Sequence, residues 1–265
     1  MIVREPVIDF ARSDGLWNAD HPELSHTLNA FQLALPYLEP YFIDAIKEAS
    51  PHIRDARLLA EVRAFCAQEA NHARLHKRYS KLLHARYPRL REHEVAIRES
   101  LIASRQQDPL DYRLAYTSAY EALTAQLARW VFQTGVPRLR EAEPAFAELM
   151  RWHAAEEIEH RHVAFDVLMA VAPSYRLRVR GLRAALRKTL ADLLPVVSYM
   201  LEVDGYAGRP ESRRRRVRVR LMFAREVLPA FVRYLKPNFH PSQELEPIAY
   251  QEWRAEHSLP VAAGA

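Results

Sequence analysis

The chain has 265 residues, with 38 Lys and Arg, 33 Asp and Glu, and a formal net charge of +5. Only 6 residues are Gly, which leaves few tight turns and favours the long regular elements of an all-α protein. The single cysteine, Cys66, excludes an intrachain disulfide and suits a reducing compartment. We find neither a signal-peptide pattern nor a run of about 18 apolar residues, so we expect a soluble cytoplasmic protein.

Hydrophobic periodicity and turn residues divide the chain into three predicted parts. Residues 1–22 carry turn signals and predict an extended N-terminal lead-in. Residues 23–173 predict a four-helix bundle, and residues 174–265 predict amphipathic helices packed on the bundle, followed by a tail. The four bundle helices are predicted at residues 23–49, 55–86, 110–133 and 142–171, with a further helix at 93–105 in the connection between the second and the third.

Each predicted bundle helix carries a carboxylate on an otherwise apolar face. Two of these helices have a lone Glu there. The other two have a Glu-x-x-His pair, in which an acid and an imidazole one turn apart can reach the same metal ion. In chain order these residues are Glu39, Glu69 with His72, Glu121, and Glu157 with His160.

This order matches the donor set of carboxylate-bridged dinuclear centres in helical bundles. Four carboxylates neutralise two divalent ions and can bridge them, and imidazole favours iron, manganese or zinc over calcium or magnesium. A lone Glu-x-x-His is commonly a surface coincidence, but four inward acids without inward bases are expensive to bury. We therefore predict a site for two divalent ions, iron first and manganese or zinc as alternatives. The predicted ligands are Glu39, Glu69, His72, Glu121, Glu157 and His160.

Two further histidines flank the predicted ligands. His76 and His153 each lie one helical turn from a ligand, so they could orient a carboxylate, relay protons or bind metal themselves. We group them with Glu69 and Glu157 as the predicted catalytic residues.

Three more polar residues lie around the inner face of the fourth predicted helix. Glu156 is about 100° from Glu157 and so falls at the margin of this face. Glu159 and His162 point to the opposite side, and we expect both to face solvent.

Three stretches of the sequence resemble a known family. They are Gln68-Glu-Ala-Asn-His72, Tyr120-Glu121 and Trp152-His-Ala-Ala-Glu-Glu-Ile-Glu-His160, the last followed by Val163-Ala-Phe-Asp-Val167. Over most of the chain the sequence resembles the bacterial "predicted metal-dependent hydrolase" family, for which a ferritin-like fold is expected. The resemblance thus implies a ferritin-like four-helix bundle, here with additional C-terminal helices, and a hydrolase whose substrate the family name leaves open.

Three functions are compatible with the predicted site. The carboxylate-rich ligand set favours the first, which is oxygen-dependent oxidation or hydroxylation of a small or lipid-like apolar substrate, with an electron-donor protein as partner. The second is hydrolysis by a metal-activated water, which the family name implies. The third is a ferritin-like metal-binding or ferroxidase protein.

Two Arg-rich segments, residues 176–188 and 213–220, hold much of the excess positive charge. No helix-turn-helix, zinc or RNA-binding pattern accompanies them, so we expect no nucleic-acid partner. An Arg-bearing amphipathic helix at 176–194 could lie on an anionic membrane surface as a peripheral contact. Its Leu stripe could instead pack on the bundle or on a second subunit of a homodimer, and we favour this packing interpretation.

Overall fold

The computed structural model describes residues 1–257, and these residues form helices and connecting segments without any strand. The predicted all-α class is confirmed. The predicted C-terminal part extends to residue 265, and residues 258–265 lie outside the described range. In chain order the helices are α1 (Pro22–Ala49), α2 (Ala56–Arg86), α3 (Leu90–Gln107), α4 (Leu110–Val131), α5 (Val136–Arg140), α6 (Pro144–His160), α7 (Val163–Val171), α8 (Tyr175–Val203), α9 (Pro210–Tyr234) and α10 (Ile248–Glu256).

Local side chains set several of the helix ends. Asp55 caps α2, because its carboxylate accepts hydrogen bonds from the backbone N–H groups of Arg57 and Leu58. Ser174 caps α8 in the same way. Gly205 follows the end of α8 with a φ of 73°, a left-handed conformation that favours glycine.

The predicted fourth bundle helix is wrong as one continuous element. It begins at Pro144 rather than at residue 142, and a turn at Arg161 and His162 divides it into α6 and α7. At this turn the Arg161 guanidinium donates a hydrogen bond to the Ile158 carbonyl, which in a continuous helix accepts from the His162 N–H. No Gly or Pro marks the break, so hydrophobic periodicity alone runs straight through it.

The long helices pack around a common interior. Helices α1, α2, α4, α6 and α7 surround this interior, and α8 lies against α1 and α4. Gly181 brings the α8 backbone close to α4, since a Cβ atom at this position would collide with the backbone of Ala115. Helix α9 also touches α1 and α4. The Leu-bearing helix therefore packs on the bundle, while the three-part division of the chain stays a prediction.

Polar residues interrupt the apolar core in its middle. One apolar cluster reaches Phe65 on α2, and a second begins at Leu75 on the same helix. Buried Glu69 and His72 of α2 lie between these two positions, and buried His76 directly follows Leu75. Within residues 1–257, no helix has both the length and the apolar character that a bilayer-spanning segment requires.

Candidate metal centre

All eight predicted ligand and catalytic residues lie together in the interior, and we call them the buried cluster. Each is at most 5% exposed to solvent. Spacings of three and four residues place the three contributions of α2 on one face, and the same holds for α6. The buried cluster consists of Glu39 from α1, Glu69, His72 and His76 from α2, Glu121 from α4, and His153, Glu157 and His160 from α6.

Four of these side chains meet around His160. Its Nε2 atom lies 3.2 Å from Oε1 of Glu69, 3.3 Å from Oε2 of Glu121 and 3.5 Å from Oε1 of Glu157. Each of the four residues offers one donor atom, and these atoms all lie within 4.8 Å of one another. Donor atoms that all bind one ion at about 2.0–2.2 Å must themselves lie only a few ångströms apart, as these atoms do. The four residues therefore have the spacing of a single metal site.

Glu39 belongs to two further groups of donor atoms with the same 4.8 Å spacing, one with His76 and His153 and one with Glu69 and His72. Its Oε1 atom lies 3.6 Å from Nε2 of His76 and 3.8 Å from Nε2 of His153. Glu69 thus belongs both to the group around His160 and to the group with Glu39 and His72.

Many polar atoms of the buried cluster have no hydrogen-bond partner among the described residues. They include both carboxylate oxygens of Glu39 and of Glu69, and both ring nitrogens of His76. A buried polar group without a partner costs about 1–3 kcal/mol, and divalent cations would satisfy several of these atoms at once. The residues present therefore fit a metal centre. The other such atoms are Nδ1 of His72, Oε2 of Glu121, Oε2 of Glu157 and Nε2 of His160.

Burial and mutual repulsion govern the charges of the acids. Burial raises the pKa of Glu39 well above its usual value, and the charge of Glu69 adds to this effect. Burial and the charges of Glu157 and Glu69 raise the pKa of Glu121 to about 8. For Glu157, burial also acts to raise the pKa, but the positive charge of His160 outweighs it and the pKa falls well below its usual value.

The histidines divide into two pairs. Burial lowers the pKa of His76 and of His153, so both are neutral imidazoles, which is the form that binds metal or accepts a proton. Burial acts in the same direction on His72 and His160, but hydrogen bonds and charges of neighbouring carboxylates outweigh it and raise both pKa values well above normal. In the metal-free protein the positive charges of protonated His72 and His160 therefore balance the negative charges of the carboxylates, as bound metal ions would.

A second layer of polar groups orients His72. Its Nε2 atom lies 3.0 Å from Oε2 of Glu156, which is fully buried. The backbone N–H of Arg4 donates to the other oxygen of Glu156 at 3.0 Å. A carboxylate partner of this kind fixes the ring orientation and leaves Nδ1 of His72 directed at Glu69, 3.4 Å away.

A chain of side chains holds His160 in the same way. Its Nδ1 atom lies 3.1 Å from Oε1 of Gln68, and Nε2 of Gln68 donates to Glu159 at 3.0 Å. Arg4 donates to Glu159 at 2.7 Å. The prediction that Glu159 faces solvent is wrong, because the N-terminal residues cover this face of α6 and leave the side chain 7% exposed.

Sequence patterns did not predict the roles of Arg4, Gln68 and Glu156. Arg4 lies in a segment without helical periodicity, and 152 positions separate it from Glu156, so no local signal connects them. Gln68 directly precedes Glu69 in one of the stretches that carry the family resemblance, and this adjacency was the one available signal. Glu156 was placed at the margin of the inner face, yet it is fully buried.

The family comparison agrees with this geometry. A family model described as "predicted metal-dependent hydrolase" matches residues 2–244. The chain belongs to this family. The metal dependence in the family description has a physical counterpart in the buried cluster. Neither the curated proteins nor the solved structures gave a match to the chain, and the ferritin-like assignment stays a prediction.

Two neighbouring cavities of this hydrolase-family protein lie near the buried cluster, and the smaller one adjoins it. The smaller has a volume of about 20 Å³ and is lined in part by His153 and Glu157, which leaves room for about one water molecule. The larger has a volume of about 390 Å³ and lies between α1, α4, α8 and α9. Both cavities are lined by Leu28, Phe31 and Leu127, so they are direct neighbours.

A further group of potential ligands lies nearer the surface, and we call it the outer group. It consists of Glu61, His162 and Asp166, whose donor atoms lie within 4.8 Å of one another. Nε2 of His162 lies 3.3 Å from Glu61, and Nε2 of His240 lies 2.7 Å from Asp166. The prediction that His162 faces solvent is thus corrected to a half-buried position, where it contacts Glu61.

Proposed function

We propose that the buried cluster holds two divalent metal ions and that the protein hydrolyses an ester or amide bond in an apolar substrate. One observation carries this proposal: within residues 1–257 the buried cluster contains carboxylate and imidazole atoms without hydrogen-bond partners, and two of its residues, His153 and Glu157, line a cavity with room for one water molecule. The family description supports hydrolysis over other reactions. We assign Glu69, Glu121, Glu157 and His160 to one ion, and Glu39, His72 and His76 with the bridging Glu69 to the other.

The assignment gives separate roles to the two neutral histidines. Two bound ions of this kind lower the pKa of a water molecule and polarise the carbonyl group under attack. His153 lines the water-sized cavity, whereas His76 does not. Glu157 orients the ring of His153 through a contact of 2.9 Å to Nε2. We therefore assign His153 to take up the proton of the water and return it to the leaving alcohol or amine, and His76 to bind metal.

A second candidate is oxygen-dependent oxidation of an apolar substrate by a di-iron form of the centre. The observation that favours it is the apolar cavity of about 390 Å³ beside a carboxylate-rich site, because an apolar surrounding protects a reactive oxidant from side reactions. This reaction needs an electron-donor protein. That partner stays a prediction, as do the homodimer, the peripheral membrane contact and the cytoplasmic location.

Metal content and oxygen dependence test the two candidates. We expect about two divalent ions per chain by elemental analysis, and equal ester hydrolysis in air and under argon by protein loaded with zinc or manganese. Activity that requires iron, oxygen and a reductant would replace hydrolysis with oxidation. No metal after anaerobic reconstitution would overturn both. Elution as a very large assembly, together with iron uptake but neither activity, would indicate storage.

A further inference from the structure

The larger cavity has the size and walls of a ligand site. Its volume of about 390 Å³ falls within the range of about 300–1,000 Å³ that is usual for small-molecule pockets. Its walls are mostly apolar side chains of α1, α4, α8 and α9, among them Leu123, Leu186, Leu193 and Val227. Such walls suit an unbranched apolar chain and offer little to a polar ligand.

The inner end of this cavity approaches the metal centre. Leu28, Phe31 and Leu127 line both this cavity and the water-sized cavity at Glu157, so the two cavities meet at these side chains. Gln32 also lines the smaller cavity and is fully buried, and its Oε1 atom has no hydrogen-bond partner among residues 1–257. A hydrogen-bond donor that enters from the larger cavity, such as the N–H of an amide substrate, would satisfy this oxygen.

The outer end of the cavity is positively charged. Arg216 and Arg220 line it from successive turns of α9. Neither has a hydrogen-bond or ion-pair partner within residues 1–257. Two cations at this spacing repel each other, and an anion between them would remove the repulsion. Guanidinium groups also match carboxylate and phosphate geometry. The exposed Leu190 and Leu228 line the cavity too, so its opening is both apolar and basic.

We propose that this cavity binds the apolar chain of an anionic amphiphile, whose carboxylate or phosphate lies at Arg216 and Arg220 and whose chain runs inward to Phe31. The inference rests on the proposed hydrolysis and defines its substrate class. The substrate is an ester or amide with an anionic group at the far end of a medium-length apolar chain. The bond to be cleaved lies at the inner end, beside Gln32 and Glu157.

Calorimetry on the metal-loaded protein tests the charged end of the site, with decanoate, decan-1-ol and butanoate as probes. We expect decanoate to bind and butanoate not to bind. Combined Arg216→Gln and Arg220→Gln substitutions should weaken decanoate binding at least about 10-fold and leave decan-1-ol unchanged, because each removes a charge-assisted hydrogen bond. The matched control is Arg218→Gln, which changes an exposed residue of the same helix outside the cavity. Equal weakening by the control would overturn the site.

A filling substitution tests the apolar part. Leu193→Trp, at a half-buried position in the cavity wall, should abolish the binding of both decanoate and decan-1-ol. Leu190→Trp, at the more exposed rim, provides a second variant if the first fails to fold. Val7→Trp, at a residue that is 92% exposed and outside the cavity, is the control. Unchanged binding in a folded filling variant would place the ligand elsewhere and overturn the proposal.

The anionic group could belong to a free amphiphile or to a membrane lipid, and vesicles of anionic phospholipid distinguish the two. Co-sedimentation that requires Arg216 and Arg220 but not Arg218 would identify a lipid head group. Decanoate binding without co-sedimentation would identify a free amphiphile. Co-sedimentation that depends equally on Arg218, without decanoate binding, would overturn the cavity site. Decanoate binding without any hydrolysis would overturn the proposed reaction and leave the cavity site intact. Hydrolysis without decanoate binding would overturn the cavity site and leave the proposed reaction intact.

Discussion

The buried cluster and the outer group contain the same types of side chain at the same spacing, yet their surroundings are opposite. The outer group, and each of the smaller groups within the buried cluster, has carboxylate and imidazole atoms within 4.8 Å of one another. Every residue of the buried cluster is shielded from water, whereas Glu61, His162 and Asp166 are half-exposed. Spacing alone therefore does not distinguish the two sites.

The hydrogen-bond partners do distinguish them. Within residues 1–257, the buried polar atoms without a partner include several of the buried cluster and none of the outer group. Water can solvate Glu61, His162 and Asp166, so their negative charge needs no cation. Both carboxylate oxygens of Glu39 and of Glu69 are buried and have no hydrogen-bond donor within residues 1–257. The comparison indicates that clustering together with burial and missing partners, rather than clustering alone, distinguishes the buried cluster from the outer group.

The largest expected effect is the loss of metal when a bridging carboxylate is neutralised. Glu69→Gln keeps the size of the side chain but removes the charge between the two proposed ions. We expect metal affinity to fall at least about 100-fold, beyond the range usual for residues that do not touch the metal. Glu61→Gln in the outer group should leave affinity unchanged. Competition with a chelator measures both, and equal losses in the two variants would abolish the distinction between the sites.

A smaller loss of metal affinity should follow when a residue that orients a proposed ligand is replaced. Glu156→Gln removes the carboxylate that orients His72 without removing a proposed ligand, so metal affinity should fall by about 10–100-fold. The chelator competition applies here too, and metal bound at saturation should stay near the wild-type value. Asp166→Asn, which alters the corresponding partner of His240 at the surface, is the control. If Glu156→Gln bound metal as tightly as this control, the contact to His72 would have no orienting role.

Sequence patterns predicted the residues of the buried cluster more completely than the surrounding side chains that cover and orient them. Glu69, His72 and His160 could be placed because a helical period of 3.6 residues fixes which side chains share a face. The burial of Glu159 could not be predicted this way, since it depends on how the N-terminal residues lie across α6. The break between α6 and α7 was missed for a similar reason, because it involves the Arg161 side chain rather than a Gly or Pro. Periodicity reports the faces of one helix and gives no information on what covers them.

Replacing a buried acid by an apolar residue should stabilise the metal-free protein. Neither carboxylate oxygen of Glu39 has a hydrogen-bond partner in the described part of the chain, so Glu39→Leu removes a cost of about 1–3 kcal/mol from the folded state. The free energy of unfolding in the presence of a chelator should rise by that amount, while metal binding is impaired. Glu61→Leu should change stability by less than about 0.5 kcal/mol, as is usual for surface positions. Destabilisation by Glu39→Leu would mean that the acid has a structural role without metal.

The stabilisation that metal provides should increase with pH. In the metal-free protein the pKa of Glu121 is about 8 and that of His72 lies well above 6.5, so the folded state holds protons that the unfolded chain has already released. Stability of the metal-free protein therefore falls as pH rises from 6.5 to about 8. The proton of Glu121 alone accounts for roughly 1–2 kcal/mol over this window. Because bound ions displace these protons, the difference in Tm between metal-loaded and metal-free protein should be larger at pH 8 than at pH 6.5. Glu61→Gln should behave like the wild type, and a difference in Tm that shrinks towards high pH would contradict binding at the buried carboxylates.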